Sequence, residues 1–184
     1  MKTTSDLLHA GKPAKTIETM FRVTASNSQK LSDQADAKAN LLITVNSIIA
    51  SVLVTFIANK IGANFKLMVP LTMLLMVNII TIACSIFATR PVIPKGIFTS
   101  NELASRKTNL LFFGNFYRMQ FDDYCGGMLQ VMNNKDYLYR SMLKDVYCQG
   151  VALGRKYRLL RIAYNIFLSG MTLSIAVFCL VMYA

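Results

Sequence analysis

The only histidine of the 184-residue chain is His9, in a hydrophilic N-terminal stretch, so a histidine-based metal site or catalytic triad lacks its parts. No Gly-rich, phosphate-cradling loop of the P-loop kind is present. Asp122 and Asp123 adjoin an aromatic cluster, but neighbouring carboxylates ahead of a helical pattern commonly serve as first-turn partners of the helix dipole. Cys84, Cys125, Cys148 and Cys179 form no CxxC pair, and two of them lie in apolar runs. They suit unpaired thiols facing a reducing compartment and read as small apolar fillers. These residue types point away from an enzyme, and no metal or bound cofactor is expected.

Cations and aromatic rings remain. Residues 89–161 hold twelve Lys and Arg against five acids, with eleven of the nineteen Phe and Tyr. Arg155, Lys156, Arg158 and Arg161 crowd around Tyr157, while Arg118 and Tyr124 lie among further aromatics. Anchoring to anionic lipid accounts for such a distribution. Cations for a phosphodiester and ring faces for a base are also what a small nucleotide requires. Arg118, Tyr124, Arg155, Lys156, Tyr157 and Arg158 are therefore the candidate ligand contacts, and both readings stand. The net charge of +11 bears more on topology than on nucleic acid, which is not expected as a partner.

What must position these side chains is a membrane protein. Hydrophobic residues make up 54% of the chain and charged residues only 16%, against roughly 25% in a soluble domain. Ala39–Ala58, Leu67–Ala88 and Ile162–Tyr183 are free of charge; about 20 such residues cross the hydrocarbon layer as a helix. The expected fold is an all-α integral membrane protein with three transmembrane helices, two of them long and extending into a small helical cytoplasmic domain. Its segments are a cytoplasmic tail and helix (1–38), spans at 39–58, 67–88 and 162–183, and a basic cytoplasmic domain (89–161). Met1–Lys38 lacks the apolar core of a signal peptide, so the first span is expected to direct insertion. With the N-terminus inside, 18 basic residues face the cytoplasm and two lie outside, which satisfies the positive-inside rule and puts the C-terminus across the membrane.

Met1–Ala14, with Gly11 and Pro13, reads as a loose tail. From Lys15 to Ile61 there is no Gly or Pro, and Ile17, Met20, Phe21, Thr24, Leu31 and Ala35 recur near helical spacing. This predicts one helix of about 45 residues, roughly 65–70 Å long, closed by a hairpin at Gly62. Arg90-Pro91, Pro94 and Gly96 end the second span. Thr99 with Glu102 has capping-box spacing, and Gly126-Gly127 and Asn133-Asn134 predict further breaks. Asn109–Phe116 is too short to span, and forms either the core of the small domain or an interfacial segment. A second long helix is expected from Lys135 into the third span, where Gly150 and Gly154 have small-xxx-small spacing. That spacing fits close helix packing or backbone approach to a ligand.

Two features at the membrane carry open alternatives. Around Asp36 and Lys38, Lys38 can snorkel to lipid phosphate, or both side chains can engage the second long helix or a ligand. In the first span Asn40, Thr44, Ser47, Ser51 and Thr55 fall within an arc of about 80°. Such a stripe serves as helix glue or as the lining of a hydrated path in an oligomer.

The ordered set DAKANLLITVNSIIASVL (Asp36–Leu53), ATRP (Ala88–Pro91), NLLFFGNF (Asn109–Phe116) and LGRKYRLLRIAYNIF (Leu153–Phe167) resembles the transmembrane effector family of Pycsar antiphage defence. The likeness runs from about Asp33 to the C-terminus. It implies an effector in the bacterial inner membrane that senses a cyclic pyrimidine mononucleotide (cUMP or cCMP) made by a partner cyclase. It further implies that the effector then compromises that membrane and arrests or kills the infected cell. Anionic lipid and further copies of the chain are the other implied partners. The family's membrane module also occurs fused to a metal-dependent HD phosphohydrolase; 38 residues with one histidine cannot supply that site, so the activity is not carried over. The resemblance brings no ligand-contact residues with it. A constitutive structural or scaffolding subunit, or a small channel subunit without nucleotide control, is the competing expectation.

Overall fold

The computed structural model describes residues 14–59, 65–90 and 109–183. The tail before Ala14, the Gly62 hairpin, the break at Pro91, Pro94 and Gly96, and the Thr99–Glu102 box lie outside the described residues. Five helices follow in order: α1 (Ala14–Asn59), α2 (Phe65–Thr89), α3 (Phe113–Phe116), α4 (Phe121–Asn133) and α5 (Lys135–Tyr183). The protein is all-α, with no strand among the described residues. Parts of α1, α2 and α5 are long and apolar enough to cross a membrane.

Helix α1 runs 46 residues without interruption because nothing in it removes a backbone donor or adds glycine freedom. Helix α5 runs 49, opened by Asn134, whose Oδ1 accepts from the Tyr137 amide at 3.1 Å. Pro70 sits in the second turn of α2, where most of the helix lies beyond it and little hydrogen bonding is lost. Gly126 and Gly127 do not break the chain: they lie inside α4, with Gly127 buried. At about 1 kcal/mol per glycine relative to alanine, packing of that face overrides propensity.

The chain divides into two compact units. One comprises Met1–Lys30 and Pro91–Ala152, the other Leu31–Arg90 and Leu153–Ala184. The core of the first joins Leu110, Val131 and Tyr137, with Phe116, Met119, Tyr124 and Met128 packed on it. Asn109–Phe116 thus contributes core through Leu110, while Phe113 is 55% exposed. Asn109 fixes the turn locally: its Oδ1 accepts from the Leu111 amide, and its carbonyl accepts from Asn115 Nδ2 at 2.7 Å.

The second unit is a three-helix bundle. Ala35, Ala39 and Leu42 of α1 pack on Leu160 and Ala163 of α5, with Cys84 of α2 against them. Leu53 and Phe56 line a cavity of about 380 Å³ with Leu71 and Phe178. Together these contacts set the register, with α1 and α5 parallel and α2 antiparallel to both. A Cβ placed on Gly170 would meet Val77 side-chain carbons at 2.5 and 2.6 Å, so α2 and α5 approach at a distance only glycine permits.

Candidate functional site

Within the bundle unit, Lys156 crosses from α5 to α1. Its Nζ donates to Asp36 Oδ2 at 2.7 Å, Asp36 Oδ1 at 2.9 Å and Ser32 Oγ at 2.9 Å. The next residue, Tyr157, donates its OH to the Leu31 carbonyl at 3.3 Å. The sequence dictates this pairing through helical phase. Lys156 precedes the buried Leu160 by four residues, and Asp36 stands between the buried Ala35 and Ala39, so both side chains emerge beside the α1–α5 seam. The lysine and aspartate side chains are 24% and 36% exposed, so the pair is worth on the order of 1–3 kcal/mol, between a surface and a fully buried pair.

Neighbouring cations point elsewhere. Arg155, Arg158 and Arg161 are exposed, and none forms an ion pair among the described residues. Arg118 and Tyr124 belong to the other unit. There Tyr124 packs on Phe116 with centroids 4.7 Å apart and Arg118 lies over the Tyr117 ring at 5.4 Å. Of the six candidate ligand contacts, the second unit therefore assembles four, and one of those, Lys156, is already held by Asp36. Lys38 is exposed.

Gly150 and Gly154 lie on an exposed side of α5, and a Cβ at either would meet nothing within 4 Å. Among the described residues they approach no other helix, and Gly170 makes a close contact instead. Asn40, Thr44, Ser47, Ser51 and Thr55 are all exposed, so the stripe does not pack on the chain's own third span. Ser51 and Thr55 donate to the carbonyls four residues earlier, at 2.9 and 3.0 Å.

The bundle's interior is polar at other positions. Asn46, Asn78, Thr81 and Ser85 are fully buried and Ser174 nearly so. The amides of Asn46 and Asn78 donate to the Leu42 and Leu74 carbonyls at 2.8 and 2.7 Å, but both Oδ1 atoms and Ser85 Oγ have no partner among the described residues. A buried polar atom left without a partner costs about 1–3 kcal/mol. The signal was present: Asn46 lies in the row of Ala35, Ala39 and Leu42, and Asn78, Thr81 and Ser85 recur at three and four residues.

A family model described as the Pycsar effector protein domain matches residues 20–183. The chain belongs to the Pycsar effector family. It is thus an antiphage-defence membrane effector, of a transmembrane rather than a catalytic family. The match takes in both helices of the Lys156–Asp36 pair and all three spanning segments of this Pycsar effector. Neither a curated protein nor a solved structure matches it.

Proposed function

We propose that this Pycsar effector is gated by a cyclic pyrimidine mononucleotide, cUMP or cCMP from a partner cyclase, and permeabilises the inner membrane as a homo-oligomer. The supporting observation is a cation held in reserve: Lys156 is bound to Asp36 between α1 and α5, beside the exposed Arg155 and Arg158, which form no ion pair among the described residues. A phosphodiester drawn in by the surrounding positive charge competes with Asp36 for Lys156, and Tyr157 offers a ring face to the base. Nucleotide binding then breaks the α1–α5 pair. A ligand shifts such an equilibrium only by its differential affinity for the two states, and losing the Asp36 contact is that difference.

The released helices then rearrange. Copies then associate along the outward α1 stripe, and permeation follows the seams between them. Anionic lipid holds the remaining basic residues. The orientation adopted is N-terminus cytoplasmic and C-terminus external, from the 18-to-two basic asymmetry. A reporter active only in the cytoplasm is expected to work at the N-terminus and stay silent at the C-terminus; activity at the C-terminus contradicts three spans.

Calorimetry on the detergent-solubilised protein tests sensing. Binding of cUMP or cCMP is expected, weakened when Lys156 is changed to Gln by roughly tenfold to a hundredfold, the loss of about 1.5–3 kcal/mol from one charge-assisted contact. No heat and no thermal stabilisation with either nucleotide leaves a constitutive structural or channel subunit as the better reading.

A further inference from the structure

The bundle leaves an apolar groove between its helices, far along α1 from the Lys156–Asp36 pair. Val52, Leu53 and Phe56 of α1, Leu67 and Leu71 of α2 and Phe178 of α5 surround a cavity of about 380 Å³, and every side chain that lines it is apolar. That volume falls within the roughly 300–1,000 Å³ of pockets that hold small ligands. Leu53 is buried, but Val52 and Phe56 are 51% and 55% exposed, so the cavity is open toward the surroundings of the bundle. Water finds no polar partner there, and an empty groove forfeits the dispersion contacts of its walls. What fills it is apolar and enters from the hydrocarbon.

The groove lies at one edge of the hydrocarbon layer. Phe56 stands two residues before the end of the charge-free run Ala39–Ala58, and Leu67 opens the run Leu67–Ala88. Lys66, the residue before Leu67, is exposed and forms no ion pair among the described residues. Its Cα lies about 1.5 Å along the α2 axis from that of Leu67, so its long side chain reaches the headgroup layer from the rim of the groove. No Asp or Glu occurs in residues 39–88 or 162–184, so a second copy at this depth brings no acidic side chain to Lys66. A phospholipid brings both halves, an acyl chain for the groove and a phosphate for the lysine. We infer that the groove holds one acyl chain of an anionic phospholipid, from the leaflet at the α1–α2 connection, with its phosphate bound by Lys66. The site is independent of the nucleotide and of the Lys156–Asp36 pair.

The chain has no tryptophan, so one introduced indole reports its own surroundings in the full-length protein. Phe178→Trp places it in the groove, while Val54→Trp places it on the same stretch of α1, at a site 53% exposed and outside the lining. Each variant, with circular dichroism unchanged, is reconstituted in phosphatidylcholine liposomes. These carry a minor fraction of phosphatidylglycerol with brominated chains, which quench indole on contact. Phe178→Trp is expected to be quenched as by phosphatidylglycerol enriched about fivefold, equivalent to the roughly 1 kcal/mol that one lysine contributes near anionic lipid. Val54→Trp is expected to follow the bulk fraction. Adding Lys66→Gln, or moving the bromines to phosphatidylcholine at the same fraction, is expected to abolish the excess. Equal quenching of the two reporters shows bulk lipid only and overturns the inference. An excess that survives either change overturns it too. Quenching of Val54→Trp with none of Phe178→Trp gives the groove to protein, a second copy included, and likewise overturns it.

Discussion

Changing Asp36 to Asn is expected to tighten nucleotide binding roughly tenfold, because about 1.4 kcal/mol of competing interaction is removed from Lys156. The same change should raise leakage in the absence of nucleotide, since it opens the proposed latch between α1 and α5. Lys156→Gln should split these effects: it also breaks the restraint and raises basal leakage, yet weakens binding by roughly tenfold to a hundredfold. Two variants that agree on basal leakage and disagree in sign on affinity are hard to explain by general destabilisation. Calorimetry with liposome efflux on both variants reads the pair. If Asp36→Asn weakens binding, Asp36 contacts the ligand rather than competing with it, and the proposed latch is wrong.

The outward α1 stripe carries the second large effect. Thr44→Val, Ser47→Ala and Ser51→Ala together keep the side chains small and delete three hydroxyls that the chain's own helices do not cover. If the seam only packs, each lost hydroxyl changes stability by about 0.6 kcal/mol, and efflux persists. If water runs along it, apolar walls dewet the path and block conduction. The expected result is folded, nucleotide-binding protein whose efflux falls by an order of magnitude or more, about 1.4 kcal/mol per factor of ten. Wild-type efflux from the triple variant assigns the stripe to packing alone.

How far these features were legible in the sequence follows from where polarity is informative. The long helices could be read because α1 lacks Gly and Pro throughout its 46 residues and α5 carries continuous rows from Leu138 through Val151. Gly126-Gly127 misled because glycine propensity is weaker than burial of Gly127 against its neighbours. The polar stripe of the first span did not tell which side turns inward; the row of Ala35, Ala39, Leu42 and Asn46 did. In water an apolar row marks the inside, but in hydrocarbon both sides are apolar. The Asn40–Thr55 stripe points out while Asn46, one of the two most polar side chains of that span, points in. That Asp36 can engage the second long helix was among the alternatives read from the sequence, but Lys156 as its partner was hidden, since the two lie 120 residues apart and only the α1–α5 register brings them together. That four of six candidate contacts fall in one unit came from simple proximity in the chain; Arg118 and Tyr124 were grouped with them by residue type alone.

Efflux of a small dye or ion from liposomes that hold only this effector, with and without cUMP or cCMP, tests the central claim most directly. Nothing else from the cell is present, so permeability must arise from the protein and the nucleotide. The expected result is low basal efflux that rises with nucleotide concentration, with a midpoint that shifts down in Asp36→Asn and up in Lys156→Gln. Efflux that is absent at every nucleotide concentration, or equally high without any, in protein whose helical content is intact, would contradict a nucleotide-gated membrane effector.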